Sequence, residues 1–335
     1  MRADHNRGSR AVLIGVSEYD HAEFTPIRSA RNSLAAMEAL LLDPALCGWS
    51  RDQLTVISNP RSASDLGIEL TELARNTTGV FLLYYVGHGK ITDRADLCLT
   101  VSSTHPAHPQ ISGLRWDTVR HAFLNSGARV RVAILDCCFA GRAIEALAGD
   151  GDHTLADLAD IRGSYILTAA RSNDAAHVPP PAEQEHACTS FTGEFRDLVR
   201  AGIAGKPDWL TFSDIYPELR ARLRARDLPA PERRGTDTAD LYRFAANAAT
   251  RRTTSSVGAS QHETIVVDPA RHSRELARAV QLTVELQEAV DKVQANLARA
   301  SAVGETDRVL DLEKELAGRQ ALLAQAHKSL RALAG

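Results

Sequence analysis

Two short stretches carry residue types suited to nucleophilic chemistry. Gly87, His88 and Gly89 follow the apolar run ending Tyr84, Tyr85, Val86, and Leu135, Asp136, Cys137 and Cys138 follow the apolar run Val130 to Ile134. A thiolate is a strong nucleophile, but a free cysteine with a pKa near about 8.5 is mostly protonated at neutral pH and needs a neighbouring base. Imidazole is such a base. Glycine tolerates positive φ and lets backbones approach closely, so His88 is expected on an exposed, sharply turned rim. Adjacent strands lie about 4.8 Å apart, so if the two runs pair side by side, their C-terminal loops bring His88 within reach of one thiol. Side chains alternate along a strand. If extended geometry persists, Asp136 and Cys138 project to one side and Cys137 to the other, and only one thiol faces the cleft. Taken singly, a Gly-His-Gly turn also reads as a structural loop, and vicinal cysteines as core packing. Their joint placement at two strand ends favours a pair between His88 and one of the two thiols.

The elements that must hold these residues are legible as alternating strands and helices. Arg10 to Val16 and Leu54 to Ile57 read as strands; Ser29 to Leu42 and Asp65 to Arg75 have helical spacing. Gly79 to Val86, Val130 to Leu135 and Ser164 to Thr168 are apolar on both faces, as central parallel strands are. Trp116 to Leu124, Phe191 to Ala201 and Phe212 to Arg226 supply further helices, and Leu241 to Ala245 reads as a last edge strand. The expected fold class is α/β: a doubly wound, mostly parallel sheet with helices on both faces and sites at the carboxyl ends of its strands.

Residues 1–247 are expected to form this domain and residues 248–267, rich in Thr, Ser, Ala and Gly, a flexible linker. Residues 268–335 read as an α-helical hairpin or coiled coil. Leu276, Ala279, Leu286, Val290, Val293 and Leu297 recur at heptad spacing, as do Val309, Leu312, Leu316, Leu323, Ala326, Leu330 and Leu333, with a break near Gly304. Thr283 and Arg319 interrupt the two stripes. The helices either pack on one another or on the catalytic body, self-associate, or dock a partner protein.

A net charge of −3 and a pI near 6.5 give no broad attraction for nucleic acid or anionic lipid. The N-terminal residues lack the apolar core of a signal peptide, and Val80 to Val86 is too short to span a membrane, so a cytoplasmic location is expected. Five cysteines, at 47, 98, 137, 138 and 188, contain no CxxC pair and suggest free thiols rather than a disulfide framework. No metal site is expected: the vicinal cysteines lack zinc-ligand spacing, and His105 and His108 sit among prolines with no thiol nearby.

The histidine and cysteine lie fifty residues apart, and with their strand ends they resemble the motifs of caspases, metacaspases and their bacterial caspase-like relatives. In metacaspase-type sequences the second of two middle residues after the Asp is the nucleophile, which here is Cys138, leaving Cys137 a structural role. The resemblance spans about Arg10 to Asn247, including Thr168-Ala169-Ala170 and Ser190-Phe191-Thr192; Phe139 and Ala140 depart from the family's usual His and Ser.

The resemblance implies a cysteine endopeptidase acting on protein or peptide substrates through acyl transfer, with backbone N–H groups of Gly89 and Cys138 holding the oxyanion. It implies a substrate-binding role for Asp136, lining a pocket for Arg or Lys; read without the resemblance, an Asp at this position also reads as the anchor of a loop through backbone N–H groups. The family's second pocket Asp, on the first helix, is replaced by Asn32 and Ser33. No cofactor or metal is required for the chemistry, while calcium activates some metacaspases. The Ala- and Arg-rich composition has a bacterial character, and bacterial relatives often serve in defence or cell death. Gly149 to Arg162, rich in Asp and Gly, reads either as an uncut surface loop or, by the resemblance, as the loop that many relatives cleave on activation, with Arg142 and Arg162 as candidate cleavage sites for a basic-selective pocket. Two competing readings stand beside this one: a catalytically idle scaffold acting through its C-terminal helices, and a thiol sensor built on Cys137 and Cys138.

Overall fold

The strands form where apolar runs are long enough to be covered on both faces. β1 (Arg10–Gly15), β2 (Leu54–Ser58), β3 (Val80–Val86), β7 (Val130–Asp136) and β8 (Ser164–Thr168) are all parallel, and every residue of β3 is buried. This computed structural model describes residues 6–92, 96–138, 163–170, 176–236 and 238–250, together with Val293, Leu297, Leu312 and Leu316. At the edge beyond β8, β10 (Glu232–Gly235) pairs antiparallel with it, and the six-stranded sheet runs in the order β10-β8-β7-β3-β1-β2.

Alternation along the strands divides the core into two. Leu82 and Tyr84 of β3 and Ile134 of β7 pack under α1 (Arg28–Leu42), α5 (Ser190–Ala201) and α6 (Phe212–Ala225) through Leu34, Met37, Phe195, Leu198 and Leu219. Leu83, Tyr85 and Leu135 face the other way, against α2 (Ala63–Arg75) and α4 (Trp116–Leu124) through Leu66, Leu70 and Phe123. Helices thus cover both faces, and each helix buries an i, i+3, i+4 stripe. On the second face lies a three-stranded antiparallel sheet of β4 (Gly89–Ile91), β5 (Leu97–Leu99) and β6 (Leu114–Arg115), with the single turn α3 (Pro109–Ser112) before β6.

One expected element moves. The strand anticipated at Leu241 to Ala245 is β11 (Arg243–Ala246), and it pairs antiparallel with β9 (Trp209–Thr211) in a separate two-stranded sheet. The edge of the large sheet is taken by the charged segment Glu-Arg-Arg-Gly of β10, whose backbone satisfies the open ladder of β8. The chain divides into two compact units, Met1–Ala259 and Ser260–Gly335. In the second, Val293 is buried and Leu297, Leu312 and Leu316 are half-buried; the rest of the heptad stretch, like Phe139, Ala140 and the Gly149 to Arg162 segment, lies outside the described residues. Among the described residues, no helix is long and apolar enough to cross a membrane.

Candidate active site

β3 and β7 pair side by side in register, Val86 opposite Asp136, so their C-terminal residues emerge at one rim of the sheet. The Gly87 N–H donates to the Asp136 carbonyl at 3.3 Å. Two residues further, Gly89 lies directly on the other loop: a Cβ built there would overlap the Cys138 carbonyl oxygen and come within 3.3 Å of Cys137 Sγ. Neither Gly87 nor Gly89 has positive φ. The turn expected to exploit left-handed backbone instead uses glycine for close approach, because any side chain at 89 would wedge the two loops apart.

The backbone of His88 is clamped from three sides. Its N–H donates to the Tyr19 hydroxyl at 2.9 Å. Its carbonyl accepts from the Thr100 N–H at 3.1 Å and the Thr100 hydroxyl at 2.9 Å, and the Tyr85 hydroxyl lies 2.8 Å away. The ring is half-buried against Tyr19 and Phe24, with centroids 5.0 and 5.5 Å away. Its Nε2 lies 2.8 Å from the Thr25 carbonyl oxygen. A carbonyl only accepts, so Nε2 carries the hydrogen and Nδ1 is left with the lone pair that takes up a proton.

Burial lowers the His88 pKa, the Thr25 hydrogen bond opposes this, and the charge of Lys90 lowers it further. Burial raises the Cys138 pKa; a backbone hydrogen bond from Ala176 lowers it, Asp136 raises it, and Lys90 lowers it. Both shifts favour neutral partners at neutral pH. Among the described residues, no hydrogen bond joins the His88 ring to the Cys138 thiol. The arrangement therefore suits proton transfer during attack rather than a standing thiolate–imidazolium pair. Cys137 is buried in the apolar core of the second face, where burial pushes its thiol well above the ordinary range.

Asp136 is 2% exposed, and its carboxylate lies on the face covered by α1 and α5. Oδ2 accepts from the Thr189 and Thr192 hydroxyls, both at 2.5 Å. Those hydroxyls are themselves supplied: Tyr84 meets Thr192 at 2.7 Å, and Ser33 meets Thr189 at 2.9 Å. With the threonines donating to the carboxylate, Tyr84 and Ser33 donate to the threonines. Among the described residues, Oδ1 is buried without a hydrogen-bond partner. Burial pushes the Asp136 pKa up to about 6, and the threonine hydrogen bonds hold it below what burial alone would give. The carboxylate thus anchors the start of α5, whose N-cap residue Thr189 makes no side-chain cap of its own. Asn32 donates to the carbonyls of Gln184 and Ala187, at 3.0 and 2.9 Å, so the first-helix positions expected near the pocket brace the segment leading into α5.

Tyr19, Phe24, Thr25, Thr100 and Lys90 surround His88, and the sequence pattern does not single them out. The available signal is that Tyr19 to Thr25 follows β1, a neighbour of β3, at the same carboxyl rim. Among the described residues, no three His, Cys, Asp or Glu side chains are grouped to hold a metal ion.

A family model for the caspase domain matches residues 9–305. Among solved structures, caspase-1 from Spodoptera frugiperda is 11% identical, with 69% of this chain and 88% of that chain covered and a TM-score of 0.49. The structure of pro-sf-caspase-1 is 8% identical, covering 68% and 91%, with a TM-score of 0.43. The structure of drICE is 13% identical, covering 68% and 87%, with a TM-score of 0.39. No curated protein sequence matches the chain. With the family model spanning most of the chain, from β1 beyond β11, the protein belongs to the caspase-domain family of cysteine peptidases.

Proposed function

We propose that the protein is a cysteine endopeptidase with Cys138 as nucleophile and His88 as general base and acid. Cys138 Sγ attacks the scissile carbonyl carbon while its proton passes to His88 Nδ1, and the carbonyl oxygen becomes an oxyanion held by the N–H groups of Cys138 and Gly89. The C–N bond then breaks as His88 returns the proton to the leaving amine. Water attacks the thioester, giving a proton to His88; the C–S bond breaks and the thiol is restored. The observation that carries this reading is the packing of Gly89 on the Cys138 backbone beside a histidine whose Nε2 is engaged by Thr25. It holds the two loops in contact and leaves Nδ1 as the ring nitrogen with a lone pair, which supports its role as proton acceptor.

Asp136 supports a preference for Arg or Lys before the scissile bond. A buried carboxylate with one unpartnered oxygen is electrostatically unsatisfied, and a substrate cation would supply the missing partner. The C-terminal residues 268–335 would recruit a partner or govern self-association, and a role in bacterial defence or cell death follows from family resemblance. The competing reading, an idle caspase-fold scaffold, draws on the neutral Cys138 thiol and the lack of a direct hydrogen bond to His88. Catalytic hydrogen bonds often tighten only once substrate is bound.

A mixed peptide library incubated with wild type, Cys138→Ala, His88→Ala and Cys137→Ala decides between them. The peptidase reading expects cleavage by wild type, at sites after Arg or Lys, and its loss in the first two variants. Cleavage that survives Cys138→Ala, or an inert wild type with and without calcium, overturns it.

A further inference from the structure

Lys90 is the first charged residue beyond the Gly87-His88-Gly89 turn and lies half-buried in β4. Its Nζ sits 5.3 Å from the centroid of the Phe24 ring, and Phe24 in turn packs against His88. Among the described residues, no carboxylate forms an ion pair with it. An ammonium is strongly hydrated, and an aromatic face replaces only part of that hydration. A half-buried cation beside a reaction centre, on a ring but without an anion, is therefore set to attract one.

Asp136 lies on the opposite side of the same centre. Its carboxylate is bound by Thr189 and Thr192 on the face covered by α1 and α5. β4 belongs to the small sheet, whose Leu97, Leu99 and Leu114 pack on the other face. Cys138 follows the strand that separates the two faces, and Gly89, next to Lys90, touches its backbone. A peptide whose carbonyl carbon reaches Cys138 thus has an anion on one flank and a cation on the other.

We infer that Lys90 is a specificity-determining residue that receives a substrate carboxylate on the side of the scissile bond away from Asp136. This inference rests on the peptidase reading and extends it: the best substrates pair a basic residue before the cut with an acidic residue after it. Charge complementarity at such a contact discriminates by both attraction and repulsion.

The test uses full-length protein and three matched peptides with Arg before the bond and Glu, Gln or Lys after it. Wild type is expected to favour Glu over Gln by about tenfold in kcat/KM, with Lys disfavoured, and the ratio should shrink as salt rises. Lys90→Met should bring the Glu-to-Gln ratio near one. Lys90→Glu should invert it toward the Lys peptide, while both variants keep the wild-type preference for Arg before the bond. Equal cleavage of the three peptides by wild type, or a Glu preference that survives Lys90→Met, removes the inference and leaves the peptidase reading intact. No cleavage by wild type, with Cys138 also unlabelled by an electrophilic Arg peptide, removes both.

Discussion

Replacing Asp136 with Asn should shift the stability difference from wild type in the variant's favour as pH rises. The carboxyl titrates near its ordinary 3.8 when unfolded and near about 6 when folded. A raised folded-state pKa means that this group's favourable contribution is fully present below 3.8 and is lost as pH rises through 6. Between those two values stability falls with each step of pH, so wild type forgoes on the order of 1 to 2 kcal/mol at pH 5 and about 3 kcal/mol at pH 7.5. Asn has the same shape and keeps an oxygen for Thr189 and Thr192, but its amide replaces the unpartnered Oδ1 and adds a pH-independent cost. The difference between the two pH values cancels that cost. Thermal melting of both proteins at pH 5 and 7.5 should show the variant gaining about 3 to 6 °C relative to wild type on going to the higher pH. A melting difference that is the same at both pH values would refute the claim that Asp136 is ionised at a penalty in the folded chain. The same substitution should abolish the preference for Arg or Lys before the cut, which ties the penalty to its use.

Three further outcomes follow from the site's geometry. Gly89→Ala places a methyl on the Cys138 carbonyl and should cut kcat/KM at least a hundredfold while the far-ultraviolet circular dichroism stays that of wild type; near-normal turnover would show that the two loops separate freely. Because His88 is shifted downward, kcat/KM should hold below pH 6.5 and fall only as pH drops further, and because Cys138 is shifted upward, its alkylation by iodoacetamide should inflect above pH 9.0. An alkylation inflection near pH 7 would indicate a standing ion pair instead. Tyr19→Phe leaves the His88 N–H without its acceptor and should destabilise the fold by about 1 to 3 kcal/mol and lower kcat more than it raises KM; unchanged kinetics would remove Tyr19 from the support of the histidine.

The parts of the fold legible in the sequence are those where burial dictates composition. Val80 to Val86 and Val130 to Asp136 are covered on both faces, so their apolar runs announce both the strands and the rim where His88 and Cys138 emerge. β10 is illegible for the opposite reason: Glu232, Arg233 and Arg234 are held by backbone pairing to β8, which leaves no hydrophobic signal. β4, β5 and β6 are three, three and two residues long, too short to show a period. The surroundings of His88 are hidden for a further reason. Thr25 acts through a backbone carbonyl, which any residue has, and the roles of Tyr19 and Lys90 depend on how separate loops meet. Side-chain alternation separates Asp136 from Cys137, but it does not foresee that Asp136 is held by Thr189 and Thr192, more than fifty residues away.

His88 sits in the two-residue gap between the last residue of β3 and the first of β4. The Cys138 loop extends a strand of the large sheet, whereas His88 is a hinge pin shared by two sheets. The distance between the two reactive groups is then a matter of how one sheet docks on the other, through Leu97, Leu99 and Leu114 against Tyr85 and Leu135. The interface works as a mechanical spacer for the chemistry. Thinning it, for instance by Leu99→Ala, would change the reach of the imidazole while leaving Cys138 where β7 puts it, so turnover would register the loosening before the large sheet itself gave way.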